Sequence, residues 1–240
     1  MALPVVNSSR YEVEIPSMGI TVEYRPFLVK EEKILMVAME SKNQKNILRA
    51  IKNVLRSCIF DDVNVDDFTS FDLEQMFLKL RTKSVGETVD LKLNCQGEKC
   101  DHKIDHTVNL EEIELEGVDK ERIVMVTDEI GIQFNYPSLD TLAEVQYDEK
   151  SKPEVQLKET MKLIIGCINN IFDADNVYPG NESSEEEKIE FFEGLNSDQF
   201  KKVAEWFATV PSLKHDIEYK CGKCGHDNKL ELRGLQSFFT

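Results

Sequence analysis

Apolar and polar positions alternate near both ends of this 240-residue chain and recur at helical spacing through much of its middle. In "YEVEIPSMGITVEYRPF" (11–27), Val13 and Ile15, then Ile20, Val22 and Tyr24, alternate around Pro16-Ser17-Met18-Gly19, which predicts an antiparallel hairpin. From Lys30 to Cys58 the apolar residues Ile34, Leu35, Val37, Ala38, then Ile47, Ile51, Val54, Leu55 and Cys58, fall at steps of three and four around the polar "ESKNQKN". That spacing predicts two helices, or one broken near residue 43. "FDLEQMFLKLRTKS" (71–84) predicts a shorter amphipathic helix that starts at Ser70 or Phe71 and stops before Gly86.

The period then changes to two. Val89, Leu91 and Leu93, followed by Ile104, His106, Val108 and Leu110, predict a second hairpin over 87–110 with a cysteine on each side of a Gln-Gly turn. "RIVMVTDEIGIQFNYP" (122–137) predicts a third, "SLDTLAEV" a short helix, and "EVQLKETMKLIIGCINNIF" (154–172) a long helix with a stripe through Leu157, Met161, Ile164, Ile165 and Ile168. "DADNVYPGNESSEEEK" (173–188) reads as loop, with glutamates after Ser183-Ser184 placed to suit the positive end of a following helix. "NSDQFKKVAEWFATVP" (196–211) predicts a capped helix ended by Pro211. The last strands alternate through Leu213, His215, Ile217 and Tyr219 into Cys221, then through Leu230 and Leu232. No internal repeat of 20 to 50 residues is visible, against a solenoid or propeller.

The class is therefore α+β: antiparallel β-hairpins with a discontinuous zinc-ribbon-like element and inserted helices. The expected division is 1–87 as N-terminal hairpin plus helices, 88–136 with 213–240 as a zinc-clamped hairpin region, and 137–212 as an inserted helical region, or all of these as one intertwined domain. The opening residues lack a basic stretch followed by an apolar one, and no segment reaches the ~18 to 20 apolar residues of a membrane span, so the chain reads as soluble and cytosolic, with no membrane partner. The formal net charge of −16 disfavours a phosphate backbone as partner. Six cysteines without a secretion signal fit metal binding or burial better than disulfides.

Four of these cysteines answer one another. Cys95-x4-Cys100 lies at the tip of the second hairpin and Cys221-x2-Cys224 at the tip of the last, with Gly97, Gly222 and Gly225 where the backbone must bend. The expectation is one structural Zn2+ held by Cys95, Cys100, Cys221 and Cys224, a closed tetrathiolate that staples two sequence-distant hairpins. Free thiols at two unrelated loop tips, or two sites completed by His102 or His106 and by His215 or His226, are the alternatives. Strand parity places His106 beside Ile104 and Val108, and His215 beside Ile217 and Tyr219, as sheet residues. His102 and His226 each follow a cysteine by two residues, near any metal. Cys58 and Cys167 fall on helical apolar stripes and read as small hydrophobes.

Phosphate-loop, dinucleotide, zincin and serine-hydrolase motifs are all absent from the sequence, and "RTKSVGE" (81–87) reads as a basic helix end, so no catalytic or cofactor-binding residues are assigned and an enzyme is not expected. A zinc-ribbon nucleic-acid-binding module is the alternative. Lys99, Lys103, Lys220, Lys223 and Lys229 surround the cysteines, but Glu98, Asp101, Asp105 and Asp227 are interleaved with them.

The opening "MALPVVNSSRYEVEIPSMGITVEYRPFLVKEEKILMVAMES", "LKLRTKSVGE", "ATVPSLKHDIEYKC" and "LRGLQSFF" resemble the T-even-type phage baseplate proteins, hub subunits and hub-assembly factors of contractile-tailed viruses, over nearly the whole chain. The resemblance implies a non-enzymatic part in forming the central hub beneath the tail tube. It implies other hub or tail proteins as partners, and places in the virion's tail baseplate and in the host cytoplasm during assembly. A homo-oligomer within the baseplate is compatible with it. The zinc reading rests on this chain's own residues. Phe27, Leu28, Phe238 and Phe239 either pack on their own domain or dock against a hub neighbour.

Overall fold

A computed structural model describes residues 8–41, 43–117, 121–145 and 152–234. Two compact units emerge: residues up to Glu116 together with those from Pro211 onward, and Gly117–Val210 inserted between them. The strands within 122–136 belong to the inserted unit together with the helices that follow them.

The first unit opens with strands β1 (Tyr11–Ile15) and β2 (Ile20–Tyr24), paired antiparallel from Tyr11 with Tyr24 to Ile15 with Ile20. Gly19 adopts a positive φ of 63° to close the turn, a conformation that a Cβ would strain. Helices α1 (Val29–Glu40) and α2 (Gln44–Cys58) follow and pack together, so the break falls where the polar run predicts it. Helix α3 (Ser70–Val85) is the buried axis of the unit, with Phe71, Leu73, Met76, Leu78 and Leu80 almost inaccessible. Thr69 caps it, and Gly86 ends it in a positive-φ conformation.

Strands β3 (Thr88–Asn94) and β4 (Lys103–Asn109) form the second hairpin. Strand β5 (Glu114–Glu116) comes next along the chain, and the inserted unit follows.

In the inserted unit, β6 (Ile123–Met125), β7 (Gly131–Phe134), β8 (Ile168–Phe172) and β9 (Val177–Pro179) make an antiparallel sheet in chain order. Helices α4 (Leu139–Glu144), α5 (Pro153–Gly166), α6 (Glu185–Glu193) and α7 (Ser197–Ala208) belong to the same unit. Its core joins Ile132, Phe134, Ile164, Ile168, Phe192, Val203 and Trp206. The Trp206 ring stacks on Phe134 at 4.8 Å, and its indole N–H donates to the Glu121 carbonyl at 2.9 Å.

The expected helix over 154–172 is corrected here. Helix α5 stops at Gly166, Cys167 caps it, and Ile168–Phe172 crosses into the sheet, paired with both β7 and β9. The apolar residues of "LIIGCINNIF" fit three- and four-residue spacing as well as a buried strand, and periodicity alone does not separate the two. Available edges on the neighbouring strands decide it, helped by the Gln133 carboxamide oxygen, which accepts from the side chains of Asn169 and Asn170. The acidic run behaves as expected: Ser184 caps α6, accepting from the Glu187 N–H, and the Glu187 carboxylate accepts from the Ser184 N–H at 2.7 Å.

The chain returns to the first unit as β10 (Ser212–Lys220) and β11 (Asp227–Arg233). Strand β10 sits centrally, with β11 on one side and β5 on the other, and Ser212 pairs with Glu116. Leu213, Ile217 and Leu232 meet Leu78 of α3, Leu91, Leu93 and Val108 of the second hairpin, and Leu110 and Ile113 just beyond it. One core therefore joins both cysteine-bearing hairpins.

The first hairpin is fastened differently. Asp72, inaccessible to solvent, accepts from the Ser17 N–H at 2.9 Å, the Thr69 N–H at 2.8 Å, and the hydroxyls of Ser17 and Thr69. A single carboxylate satisfies both the β1–β2 turn and the start of α3. Replacing Asp72 with alanine leaves buried donors without partners and should cost about 2 to 4 kcal/mol. Urea unfolding should show a lower midpoint at unchanged slope; an unchanged midpoint would mean that the carboxylate is not an anchor.

Candidate metal centre

Each cysteine pair occupies the tip of a hairpin in the same way. The β3–β4 ladder ends at Asn94 opposite Lys103, and the Cys95 N–H continues it to the His102 carbonyl at 3.0 Å. The β10–β11 ladder ends at Lys220 opposite Asp227, and the Cys221 N–H continues it to the His226 carbonyl at 2.9 Å. Cys95 and Cys221 are thus the first residues past their ladders, and the backbone then turns sharply. In the first turn the Cys100 N–H donates to the Gly97 carbonyl at 3.0 Å; in the second, the Gly225 N–H donates to the Cys221 carbonyl at 2.9 Å with φ at +73°. Gly222 keeps an ordinary φ in open space, so of the two glycines in that turn Gly225 carries the conformational demand. Gly97 brings backbone against the sulfurs: a Cβ there would lie 3.4 Å from Cys95 Sγ and 3.5 Å from Cys224 Sγ.

The four sulfurs of Cys95, Cys100, Cys221 and Cys224 all lie within 4.8 Å of one another. Two close separations run between hairpins, Cys95 to Cys224 at 3.5 Å and Cys100 to Cys221 at 3.7 Å. A tetrahedron of thiolates about 2.3 Å from a central ion has edges of about 3.8 Å, so the cluster is of the size that a metal ion fills. Four such cysteines can bind a metal ion.

Their protonation fits that use. The Cys221 thiol is pushed down to about 6, first by the hydrogen bond from the Cys224 N–H and further by that from Lys223 N–H, against burial. At Cys95 the Gly97 N–H favours the thiolate, but burial and sulfur hydrogen bonds from Cys224 and Cys221 outweigh it and push the thiol up to about 12. Cys100 is raised as well, the His102 N–H working against burial and the neighbouring sulfurs. Like charges packed this closely disfavour one another, so the thiolate is favoured at Cys221 and disfavoured at Cys95 and Cys100 until a cation is present to offset the charge.

The histidines lie outside the cluster. His102 and His226 offer backbone carbonyls to the ladders while their residues stay exposed. His106 and His215 are half-buried sheet residues, His106 with its ring 6.2 Å from that of Tyr219. Cys58 and Cys167 are buried elsewhere, their thiols pushed by desolvation up to about 11 and about 12. Cys58 ends α2 as the apolar stripe predicts, whereas Cys167 sits at the cap between α5 and β8. Phe27 is half-buried and Leu28 exposed; Phe238 and Phe239 lie outside the described residues.

Sequence patterning missed the residues that hold the two tips together. Asn228, 1% exposed, accepts from the Gln96 N–H at 2.7 Å and donates to the carbonyls of Tyr219 and His226. The Gln96 side chain donates to the Lys229 carbonyl at 2.8 Å, and the Tyr219 hydroxyl to the Asn94 carbonyl at 2.8 Å. A buried asparagine just past a cysteine knuckle is the available signal, but its partner lies 132 residues away. At the surface Lys223 pairs with Asp101 across the two tips at 3.1 Å, holding Asp101 below the usual carboxylate range. Lys220 pairs with Asp227, and Lys229 with Glu218.

Comparison with known proteins locates this architecture. A family model described as "T4 bacteriophage base plate protein" matches residues 8–240. The baseplate hub assembly protein gp26 of Enterobacteria phage T4 is 21% identical over 230 residues, spanning 95% of this chain and 97% of that protein. No solved structure matches the chain. A match across both units and both cysteine hairpins covers far more than a shared motif, and the chain belongs to the T4 bacteriophage base plate protein family.

Proposed function

We propose that this protein is a non-enzymatic component or assembly factor of the baseplate hub of a contractile-tailed phage, with one structural zinc ion held by Cys95, Cys100, Cys221 and Cys224. The observation that carries the metal half is the meeting of four sulfurs from hairpins more than a hundred residues apart. Zinc suits an all-thiolate tetrahedron, and with four protein ligands it keeps no position for water or substrate. Its contribution is mechanical: it closes a long loop and holds the hairpin tips in register. The hub half is supported by family membership and by the similarity to a relative named for hub assembly.

A nucleic-acid-binding ribbon finds less support, since three of the five lysines around the tips, Lys220, Lys223 and Lys229, are paired with carboxylates, and Glu98 and Asp105 stand near Lys99 and Lys103 in the sequence. Partners are accordingly other hub and tail proteins, met in the host cytoplasm during assembly and in the tail baseplate.

Protein purified without chelator should contain one zinc per chain by metal analysis, and cobalt substitution should give the charge-transfer absorption of four thiolates. Cys221→Ser with Cys224→Ser should release the metal and lower stability by about 4 kcal/mol, the scale for opening a loop of roughly a hundred residues, while the helices largely persist. Unchanged metal content and melting would remove the clamp. Because protons compete with zinc for thiolates, retention should fall as the pH is lowered. In infected cells the chain should occur in hub-containing intermediates. Its absence from all of them would overturn the hub reading, and mass spectrometry of finished particles then separates a retained component from a departing factor.

A further inference from the structure

Helix α1 buries only a narrow stripe, Glu31, Leu35 and Ala38, with the Glu31 carboxylate held by Arg25 at 2.9 Å. Val29, Ile34, Met36, Val37 and Met39 are left exposed, Met36 at 58% and Val37 at 68%. Five large apolar side chains are thus exposed on one twelve-residue helix, interleaved with the exposed charges of Lys30, Glu32, Lys33 and Glu40. Two are methionines, whose unbranched, polarisable side chains repack readily around a partner.

Helix α2, packed against α1, carries the complementary feature. Lys45, Arg49, Lys52 and Arg56 stand at steps of four, three and four, one stripe along the helix, and the segment Gln44–Cys58 contains no acidic residue. This occurs in a chain of net charge −16. Asp66 takes the far end of the stripe, pairing with Lys52 at 3.2 Å and with Arg56. Lys45 and Arg49 remain exposed with no carboxylate in salt-bridge range among the described residues.

We propose that the α1–α2 pair is a docking surface for an acidic amphipathic helix of another protein, its apolar face on the exposed side chains of α1 and its carboxylates toward Lys45 and Arg49. Charge selects this occupant. A second copy of the chain brings a net charge of −16 and is repelled at long range. A nucleic acid carries its phosphates beyond a short stripe onto the acidic remainder, and two unpaired cations release few counterions. A short helix presents its carboxylates only where the cations stand, and its apolar face uses the area that phosphate would waste. The inference deepens the assembly reading by giving the chemistry of a partner, and a purified chain tests it whether or not the chain occurs in hub intermediates.

The probe is a synthetic helix of about 18 residues with leucine at i, i+3, i+4 and i+7 and glutamate elsewhere, titrated onto the full-length protein by calorimetry. Binding should weaken with salt and fall roughly tenfold or more in Lys45→Glu with Arg49→Glu. It should fall also in Met36→Ser with Val37→Ser, there without losing its salt dependence. All four positions are exposed, and unchanged melting confirms that the variants fold. The proposal is overturned if the acidic helix does not bind, if a lysine version binds equally, or if short duplex DNA binds through the same residues. Self-association in sedimentation that the same substitutions abolish would overturn it as well.

Discussion

The registration of two hairpins that lie more than a hundred residues apart is the constraint on which the first unit depends. Four sulfurs meet only if both hairpin tips end at the same level, because Cys95 and Cys221 are each the first residue beyond a ladder. Burial of Leu91, Leu93 and Val108 against Ile217 and Leu232 supplies attraction but little direction, since apolar surfaces tolerate sliding. Direction comes from Asn228, which is buried and therefore must keep its partners. A shift of one residue would strand its carboxamide and break the bond from the Tyr219 hydroxyl to the Asn94 carbonyl. Attraction and register thus come from different residues, and a metal in the cluster would lock a geometry that hydrogen bonds have already selected.

That arrangement sets an order on folding. Strand β5 and strand β10 meet at Glu116 and Ser212, so both ends of the inserted unit leave from adjacent strands of one sheet. Such an insertion costs the host unit little beyond loop closure, which grows slowly with length. Yet β10 and β11 are made last, and until they arrive the apolar face of the β3–β4 hairpin lacks Leu213, Ile217 and Leu232. The first unit is completed only by residues synthesised after the second.

How much of this could be read from the sequence follows from the range of the interactions. The three hairpins before residue 140, the broken helix pair, the acidic first turn after Ser184 and the cap at Asn196 rest on side chains and backbone a few residues apart, and patterning finds them. The cysteine pairs were legible because thiols at glycine-containing turns seek ligands, although only the folded chain shows that the four sulfurs meet. Segment 168–172 was misread because its state is decided by β7 and β9 on either side. Asn228 and Asp72 escaped notice for the same reason: each looks like an ordinary turn or cap residue until its distant partner is in place.

The first unit therefore contains two surfaces with opposite physical characters. Around the cysteine tips, three exposed lysines are matched, Lys223 with Asp101, Lys220 with Asp227 and Lys229 with Glu218, and short glycine turns fix the backbone. Matched surface pairs contribute little to stability and present little net field to a visitor. Along α1 and α2 the charges are unmatched at Lys45 and Arg49, and the apolar side chains are exposed and adaptable. A surface that leaves both its cations and its apolar area uncompensated forgoes stability in the free chain, and recovers it only when something covers both. On the docking proposed for α1 and α2, stiffness where the chain holds its own shape and unmet bonding where a partner helix would lie are complementary requirements.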